Sequence, residues 1–205
     1  MKVIISLLAL FALDFSARIA LTFDDGPCSN GDSLISAITQ AGVPATHFLI
    51  GQNVGGHENQ IKSAVSAGHE IGCHGYNSNP PASEVTQTQQ QIAAAGGGTC
   101  KIFRAPNLDY GSIVQTCAQL GLALIGTDVI GQDWNSISTS QVVSNIVNAA
   151  HDGGIALLHW PNTAPETVAA VPQIVSQLKS KGYEFLTVSG LCGSKVQAGQ
   201  RIDRC

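Results

Sequence analysis

Short apolar runs alternate with amphipathic helical patterns along almost the whole chain, and this alternation restricts the fold more than any other feature. Seven runs have the length and composition of strands, namely residues 18–23, 45–50, 69–73, 101–104, 122–128, 154–159 and 183–188. Helical patterns lie between them, at residues 30–41, 58–67, 83–95, 112–120, 138–150 and 166–181. Because a helix separates each strand from the next, the strands are expected to pair in parallel. The sequence therefore predicts an α/β fold, either an open doubly wound sheet or an incomplete barrel, and periodicity does not decide between them.

Several residues mark where the helices begin, end or bend. Asn30, Ser83 and Ser138 each precede a helical pattern and are predicted to cap it. Gly42 is expected to end the first helix, and Pro172 is expected to bend the last one.

The first residues have the layout of a secretory signal peptide. Lys2 precedes an apolar stretch over residues 3–13, and small residues follow at Ser16 and Ala17. The stretch is too short to cross a bilayer, and the alternative is a buried first strand. We therefore expect residues 1–17 to direct secretion to the extracellular space, the cell wall or a spore wall.

Length and charge indicate one domain with no polyanionic partner. The remaining residues, 18–205, are enough for a single core and show no linker. The formal net charge is -4, and the ten Lys and Arg residues are scattered. No basic stripe offers itself to nucleic acid and no polybasic segment to a membrane, so neither partner is expected and a monomer is predicted.

The cysteine content fits an oxidising compartment. The six cysteines are Cys28, Cys73, Cys100, Cys117, Cys192 and Cys205. In an exported chain such residues are expected to form disulfides, but six cysteines allow fifteen pairings and the spacing selects none.

Strongly polar residues gather where the predicted strands end. They are Asp24, Asp25, His74, Arg104, Asp128, Asp133, Trp134 and His159. In both candidate architectures the carboxyl ends of the strands share one edge, and chemistry gathers there. The sequence therefore predicts a single catalytic rim.

Two adjacent carboxylates open this rim. Asp24 and Asp25 end the first strand, and Gly26 and Pro27 force a sharp exit. Adjacent side chains of an extended strand point to different sides, so one carboxylate could bind a metal while the other faces a water molecule. The alternative is an aspartate that only caps a turn.

Five motifs in a fixed order resemble a known family. They are Thr-Phe-Asp-Asp-Gly-Pro at 22–27, His-Glu-Ile-Gly-x-His at 69–74, Phe-Arg-x-Pro at 103–106, Asp-Trp at 133–134 and Leu-Leu-His at 157–159. Together they resemble the NodB-type polysaccharide deacetylases of carbohydrate esterase family 4, which include the chitin deacetylases. The resemblance covers residues 19–188. It implies a deformed (β/α) barrel with about seven parallel strands, and hydrolysis of N-acetyl groups on a carbohydrate polymer such as chitin, assisted by zinc or cobalt.

The resemblance also assigns roles at one side of the rim. It implies that Asp24 is the catalytic base and that Arg104 orients it. It implies that Asp25 and His74 bind the metal.

Further roles carry over to the other side. His159 resembles the general acid that protonates the leaving amine, with Asp133 as its partner. Trp134 and Leu157 match residues that enclose the acetyl methyl group, and the backbone of Asn107 is the expected oxyanion contact.

The sequence departs from the family at the metal site. The family has a second histidine four residues after the first, whereas this chain has Ser78 there, or Asn79 if the following proline is aligned. His47 replaces an aromatic residue and is interpreted as a packed residue rather than a substitute ligand. Ile130 stands where an aspartate is common.

Two functions therefore compete. The first is an active metal-assisted deacetylase. The second is an impaired or inactive homologue, with no metal bound, that binds or structures the polysaccharide of a cell wall or spore wall.

Overall fold

The computed structural model describes residues 16–75, 81–111 and 113–205. These residues contain nine strands, which are β1 Ala17–Gly26, β2 Thr46–Ile50, β3 Glu70–His74, β4 Ile102–Arg104, β5 Ala123–Ile125, β6 Val129–Ile130, β7 Gly154–His159, β8 Tyr183–Phe185 and β9 Arg201–Ile202. The described α-helices are α1 Asp32–Ala41, α2 Glu58–Ser66, α3 Ala82–Ala94, α4 Ile113–Gln119, α5 Thr139–Ala149, α6 Thr167–Ser180 and α7 Val188–Cys192. None of the helices in these ranges is long and apolar enough to cross a membrane.

The strands form one parallel sheet that is rolled up. Their order is β6-β7-β1-β2-β3-β4-β5-β9, and β8 also pairs with β1. If the sheet were flat, β6 and β5 would lie roughly 29 Å apart at about 4.8 Å per strand. They are joined by residues 126–128 alone, which can span at most about 14 Å. The sheet therefore curls until β6 approaches β5, which confirms the deformed (β/α) barrel and excludes the open doubly wound sheet.

Side chains alternate between the two faces of each strand. In β1, Ile19, Leu21 and Phe23 belong to the large core between the sheet and the helices. Ala20 faces the interior of the barrel, in a smaller core that also contains Phe48, Ile102, Ala123, Ile125 and Ile155. Side chains that point into the barrel are therefore apolar near the amino ends of the strands and polar near the carboxyl ends. Asp24 points inward like Ala20, because an even number of residues separates the two.

Some predicted boundaries are confirmed and others are wrong. Ser138 caps α5 by accepting a hydrogen bond from the Gln141 N–H at 3.3 Å, and Gly42 ends α1 at a φ of 65°. Asn30 does not cap α1, because its side-chain oxygen accepts from the Cys28 thiol and the helix begins after Gly31. Ser83 does not cap α3 either, since the helix starts after Pro81.

The predicted number of strands is too small. The predicted strand 122–128 is two strands, β5 and β6, because the chain leaves one edge of the sheet at Gly126 and joins the other edge at Val129. The predicted strand 183–188 stops at Phe185, since Thr187 caps α7. β9 was not predicted at all and pairs with β5.

Part of the predicted signal peptide lies outside the described residues. Of residues 1–17, the structure describes Ser16 and Ala17, and Ala17 begins β1 opposite Tyr183. The signal peptide stays a prediction.

Candidate active site

The inward residues at the carboxyl end of the barrel line one cavity of about 570 Å³. Its walls contain Asp24, Asp25, His74, Ala105, Pro106, Asn107, Leu108, Ile130, Gln132, Trp134, Leu157, His159 and Thr163. β1 contributes the two carboxylates, β3 contributes His74 and β7 contributes Leu157 and His159. The structure therefore brings most of the predicted rim residues together, with Arg104 and Asp133 directly behind them. Asp128 is the exception, because it lies outside the cavity, where its carboxylate pairs with His151 at 2.9 Å and accepts a hydrogen bond from the Ile155 N–H.

Asp24 is held by a buried arginine. Arg104 is fully buried and its Nη1 lies 2.9 Å from Asp24 Oδ1 and 2.6 Å from Thr22 Oγ1. Its Nε and Nη2 donate to the carbonyls of Ile125 and Gly126 at 3.1 and 2.8 Å. The guanidinium is therefore fixed by four hydrogen bonds, and one of them fixes the position of one oxygen of Asp24.

Asp25 breaks the alternation of the strand. Its φ is 74°, in the left-handed region that non-glycine residues rarely adopt, and the pairing of β1 with β2 shifts between Asp24 and Gly26. Both carboxylates consequently line the same cavity, whereas an unbroken strand would send them to opposite sides. The argument from alternation at this position was therefore wrong.

His74 lies beside Asp25 with a defined tautomer. Its Nδ1 donates to the Arg104 carbonyl at 2.7 Å, and its Nε2 lies 3.4 Å from Asp25 Oδ1. Asp25 Oδ2 accepts from the Thr163 hydroxyl at 2.8 Å, a contact that no sequence motif indicated.

The pKa values of Asp25 and His74 are each shifted in the direction that favours the charged form. Burial alone would lower the pKa of His74, but the charge of Asp24 and the hydrogen bond and charge of Asp25 raise it overall. Burial would raise the pKa of Asp25, but the hydrogen bond and charge of His74, together with Thr163, lower it. Each of the two residues therefore favours the charged form of the other.

Asp25 Oδ1 and His74 Nε2 are suitable donors for a divalent ion, but they are two donors rather than three. A catalytic zinc ion usually has three protein ligands. Among residues 16–75, 81–111 and 113–205 there is no group of three metal-binding side chains. The position predicted to lack its ligand, Ser78 or Asn79, lies outside the described residues.

His159 is fixed by Asp133. The imidazole Nδ1 donates to Asp133 Oδ1 at 2.9 Å, and the backbone N–H of His159 donates to Oδ2 at 2.7 Å. Thr167 donates to the same Oδ2 at 2.6 Å, which sequence reasoning missed because this residue lies in the first turn of α6. Burial would lower the pKa of His159, but the hydrogen bond and charge of Asp133 raise it, with smaller contributions from Asp24 and Asp25.

The predicted wall residues also lie in the cavity. Leu157 is buried, whereas Trp134 is 40% exposed and its ring meets His159 edge-on at 5.1 Å between centroids. Asn107 has a φ of 53°, so the chain turns sharply at the cavity wall.

His47 is not part of the site. It is fully buried, stacks on Phe23 and His69, and meets Trp160 edge-on. Its interpretation as a packed residue is confirmed.

The rolled parallel sheet defines a deformed (β/α) barrel with carboxylates and histidines at its rim. Comparison with known proteins gives its family. The polysaccharide deacetylase family profile matches residues 16–125. The chain belongs to this family, the NodB-type deacetylases of carbohydrate esterase family 4.

Individual relatives support the same family assignment. The chain is 38% identical over 84% of its length to a bifunctional xylanase/deacetylase of Pseudobutyrivibrio xylanivorans, and 31% identical over 90% to the peptidoglycan-N-acetylglucosamine deacetylase PgdA of Listeria monocytogenes. It spans 30% and 41% of the lengths of these two proteins. A solved family 4 acetyl xylan esterase from Clostridium thermocellum, in complex with a cobalt ion, is 29% identical with a TM-score of 0.82, covering 91% of this chain and 98% of that one.

Proposed function

We propose that this protein hydrolyses N-acetyl groups on an uncharged polysaccharide such as chitin. One observation carries the proposal: Asp24 and His159 are directly paired residues on adjacent strands, and each has its own buried partner, Arg104 and Asp133. A base and an acid side by side in one cavity are what hydrolysis of an amide needs, because water must lose a proton and the leaving amine must gain one.

The proposed chemistry assigns one proton transfer to each residue. The Asp24 carboxylate takes a proton from the attacking water, whose oxygen forms a bond to the amide carbon. The backbone of Asn107 is the proposed donor to the oxygen that becomes negative. His159, protonated and held by Asp133, then gives its proton to the amine as the carbon–nitrogen bond breaks. The products are acetate and a free amino sugar.

Asp25 and His74 are the residues that would hold a divalent ion, zinc or cobalt. When bound, such an ion supplies Lewis-acid polarisation of the amide carbonyl.

The walls of the cavity favour an uncharged sugar. Apart from its two carboxylates and two histidines, the cavity is lined by apolar or neutral polar residues, and no Lys or Arg is among the described residues that line it. Ile130 and Trp134, each 40% exposed, give the mouth an apolar side on which a sugar ring can stack. A polymer carrying carboxylates would find no Lys or Arg to pair with among these lining residues, so we propose chitin ahead of peptidoglycan.

An impaired homologue is the second candidate, and a specific observation favours it. Among the described residues no three metal-binding side chains are grouped around one point, and residues 76–80 contain no His, Cys, Asp or Glu. Such a protein would bind wall polysaccharide in the same cavity without turnover.

Acetate release from chitooligosaccharides, measured with added zinc or cobalt, tests the proposal. We expect release by the wild-type protein and a loss of at least about 100-fold in Asp24→Asn, since the base is removed with little change in shape. Asp128→Asn, a change outside the cavity, is the matched control and should retain the rate. Glycan binding without acetate release from the wild-type protein would instead support the impaired homologue.

Restoring the missing ligand separates the two candidates further. Ser78→His is expected to raise zinc affinity at least about 10-fold, because it adds an imidazole where two donors are present. Isothermal titration with zinc measures this, with Asn79→His as the alternative position. No gain from either substitution would show that the loop is aligned wrongly with the family.

The predicted secretion is proposed as well. Export of the complete chain, with removal of residues 1–17, is the expected result in a secreting host, and N-terminal sequencing of the exported protein tests it.

A further inference from the structure

The Asp25 carboxylate depends on contacts from outside its own strand. At a φ of 74°, Asp25 leaves the alternation of β1, and its side chain lies in the cavity, 28% exposed. Two described residues contact the carboxylate: His74 Nε2 lies 3.4 Å from Oδ1, and the Thr163 hydroxyl donates to Oδ2 at 2.8 Å. Only the contact from Thr163 has the usual length of a hydrogen bond.

The longer separation, from His74, is that of two ligands of one metal ion. Zinc binds carboxylate oxygen and imidazole nitrogen at about 2.0 to 2.2 Å in tetrahedral geometry, so two such ligands lie roughly 3.4 Å apart. Asp25 Oδ1 and His74 Nε2 are 3.4 Å apart in the structure. Because Thr163 donates to Oδ2, the other oxygen is the one that is turned toward the imidazole.

Thr163 is exposed, but it is anchored to the strand end that carries Asp25. The backbone N–H of Thr163 donates to the Trp160 carbonyl at 3.0 Å, and the Trp160 N–H donates to the Asp24 carbonyl at 2.9 Å. The Trp160 ring is buried, and a Cβ added at Gly26 would lie 2.2 Å from its Cε2 atom. Hydrogen bonds therefore lead from Asp24 through Trp160 and Thr163 back to Asp25, and they hold the hydroxyl at a fixed position relative to the carboxylate.

We propose that Thr163 is a positioning residue that fixes the Asp25 carboxylate with Oδ1 turned toward His74. A β-branched side chain has few χ1 rotamers, so its hydroxyl is already directed before the carboxylate accepts from it. The inference rests on the proposed function for the binding of a divalent ion at these two residues. The orientation of the carboxylate does not depend on turnover.

Crystal structures of the metal-free full chain test the orientation. Thr163→Val keeps the shape of the side chain without the hydroxyl, and Thr163→Ser keeps the hydroxyl. We expect the Asp25 carboxylate to rotate in Thr163→Val, which moves Oδ1 away from His74, and to stay in place in Thr163→Ser. An unchanged carboxylate in Thr163→Val would overturn the proposal. Rotation in both variants would overturn it too, because the methyl group would then be the group that holds Asp25.

Isothermal titration with zinc measures the consequence for binding. Thr163→Val is expected to bind zinc about 10- to 100-fold more weakly than the wild type, because partners of metal-binding side chains have effects of this size. Thr163→Ser should recover most of the affinity. Tm should change little in either variant, since Thr163 is exposed, and a merely structural role would not give this combination. Thr39→Val, at an exposed position of α1 outside the cavity, is the matched control.

Failure of this proposal and failure of the proposed function give different results. Equal zinc affinity in the wild type and Thr163→Val would overturn the role of Thr163 and leave the proposed function standing. A wild-type protein that neither binds zinc nor releases acetate would overturn the proposed function, and the metal-free crystal structures would still decide whether Thr163 holds Asp25.

Discussion

At the scale of single residues, the site depends on polar side chains whose own orientation is fixed by buried neighbours. Arg104 fixes Asp24, and Asp133 together with Thr167 fixes His159. The sequence allowed Asp24, Arg104, Asp133 and His159 to be identified, because they fall in recognisable motifs. Thr163 and Thr167 could not be found, since a threonine near a helix start is common and its contact depends on how α6 packs.

Asp133 should control the proton on His159. Asp133→Asn replaces a charged partner with a neutral one of the same shape, so the imidazolium loses stabilisation and the pKa of His159 falls. A histidine with a lower pKa is less protonated at neutral pH, and the alkaline limit of acetate release should move to lower pH. NMR titration of the imidazole C–H signals measures the shift.

The control for this titration is a second aspartate–histidine pair. Asp128 lies 2.9 Å from His151 outside the cavity, and Asp128→Asn should leave the His159 titration unchanged. An unchanged His159 titration in Asp133→Asn would contradict the assigned role of Asp133.

At the scale of elements, the sequence pattern predicts the long strands correctly and fails for the short ones. β7 was predicted with its observed ends, because a buried parallel strand reads as a continuous apolar run. β5 and β6 also read as one run, and the break between them comes from sheet closure, which no local pattern records. β9 has only two residues in a polar tail, so its pairing with β5 is set by tertiary contact.

A buried histidine pair links β2 to the start of β3. His47 Nε2 lies 2.9 Å from His69 Nδ1, while His47 Nδ1 and His69 Nε2 have no hydrogen-bond partner among the described residues. Burial lowers the pKa of His69 to about 4, and burial together with the charge of His69 lowers the pKa of His47 further below its usual range. Both rings are therefore neutral in the folded protein.

This pair should make the fold acid-sensitive. Each histidine has a lower pKa folded than unfolded, so its contribution is complete above about pH 6.5 and is lost as pH falls. By pH 5 His69, with a pKa of about 4 in the folded protein, should account for a loss of about 2 kcal/mol in the free energy of unfolding, and His47 should add to that loss. His47→Phe removes one ring, and urea unfolding at pH 7 and pH 5 should show a smaller loss than in the wild type. His57→Gln, at the start of α2, is the control, and equal losses in His47→Phe and wild type would refute the explanation.

At the scale of the whole molecule, the barrel has a seam between β5 and β6 that residues 126–128 cross. The C-terminal tail also spans it. Gln200 and Ile202 accept hydrogen bonds from Leu124 and Gly126, both at 2.8 Å, and Cys205 donates to the Gly153 carbonyl at 2.8 Å. The family resemblance allowed the barrel to be predicted, but it ended at residue 188, so the tail that crosses the seam was not.

Removing the tail should weaken the whole barrel. Deletion of residues 199–205 is expected to lower the free energy of unfolding by about 4 kcal/mol, of which about 2 come from burial of Ile202 and about 2 from the Cys192–Cys205 bond. The double variant Cys192→Ser, Cys205→Ser should lose only the second part. Urea unfolding measures both, and equal losses would show that pairing of the tail contributes nothing.

The position of the tail also affects when the protein can fold. Among the described strands β1 is synthesised first, whereas β9, which lies against β5, is synthesised after all the others. While residues 199–205 are still inside the ribosome, the outer edge of β5 has no partner from this chain. The nascent protein therefore exposes an open sheet edge until residues 199–205 have left the ribosome, and during that interval the edge is accessible to other chains.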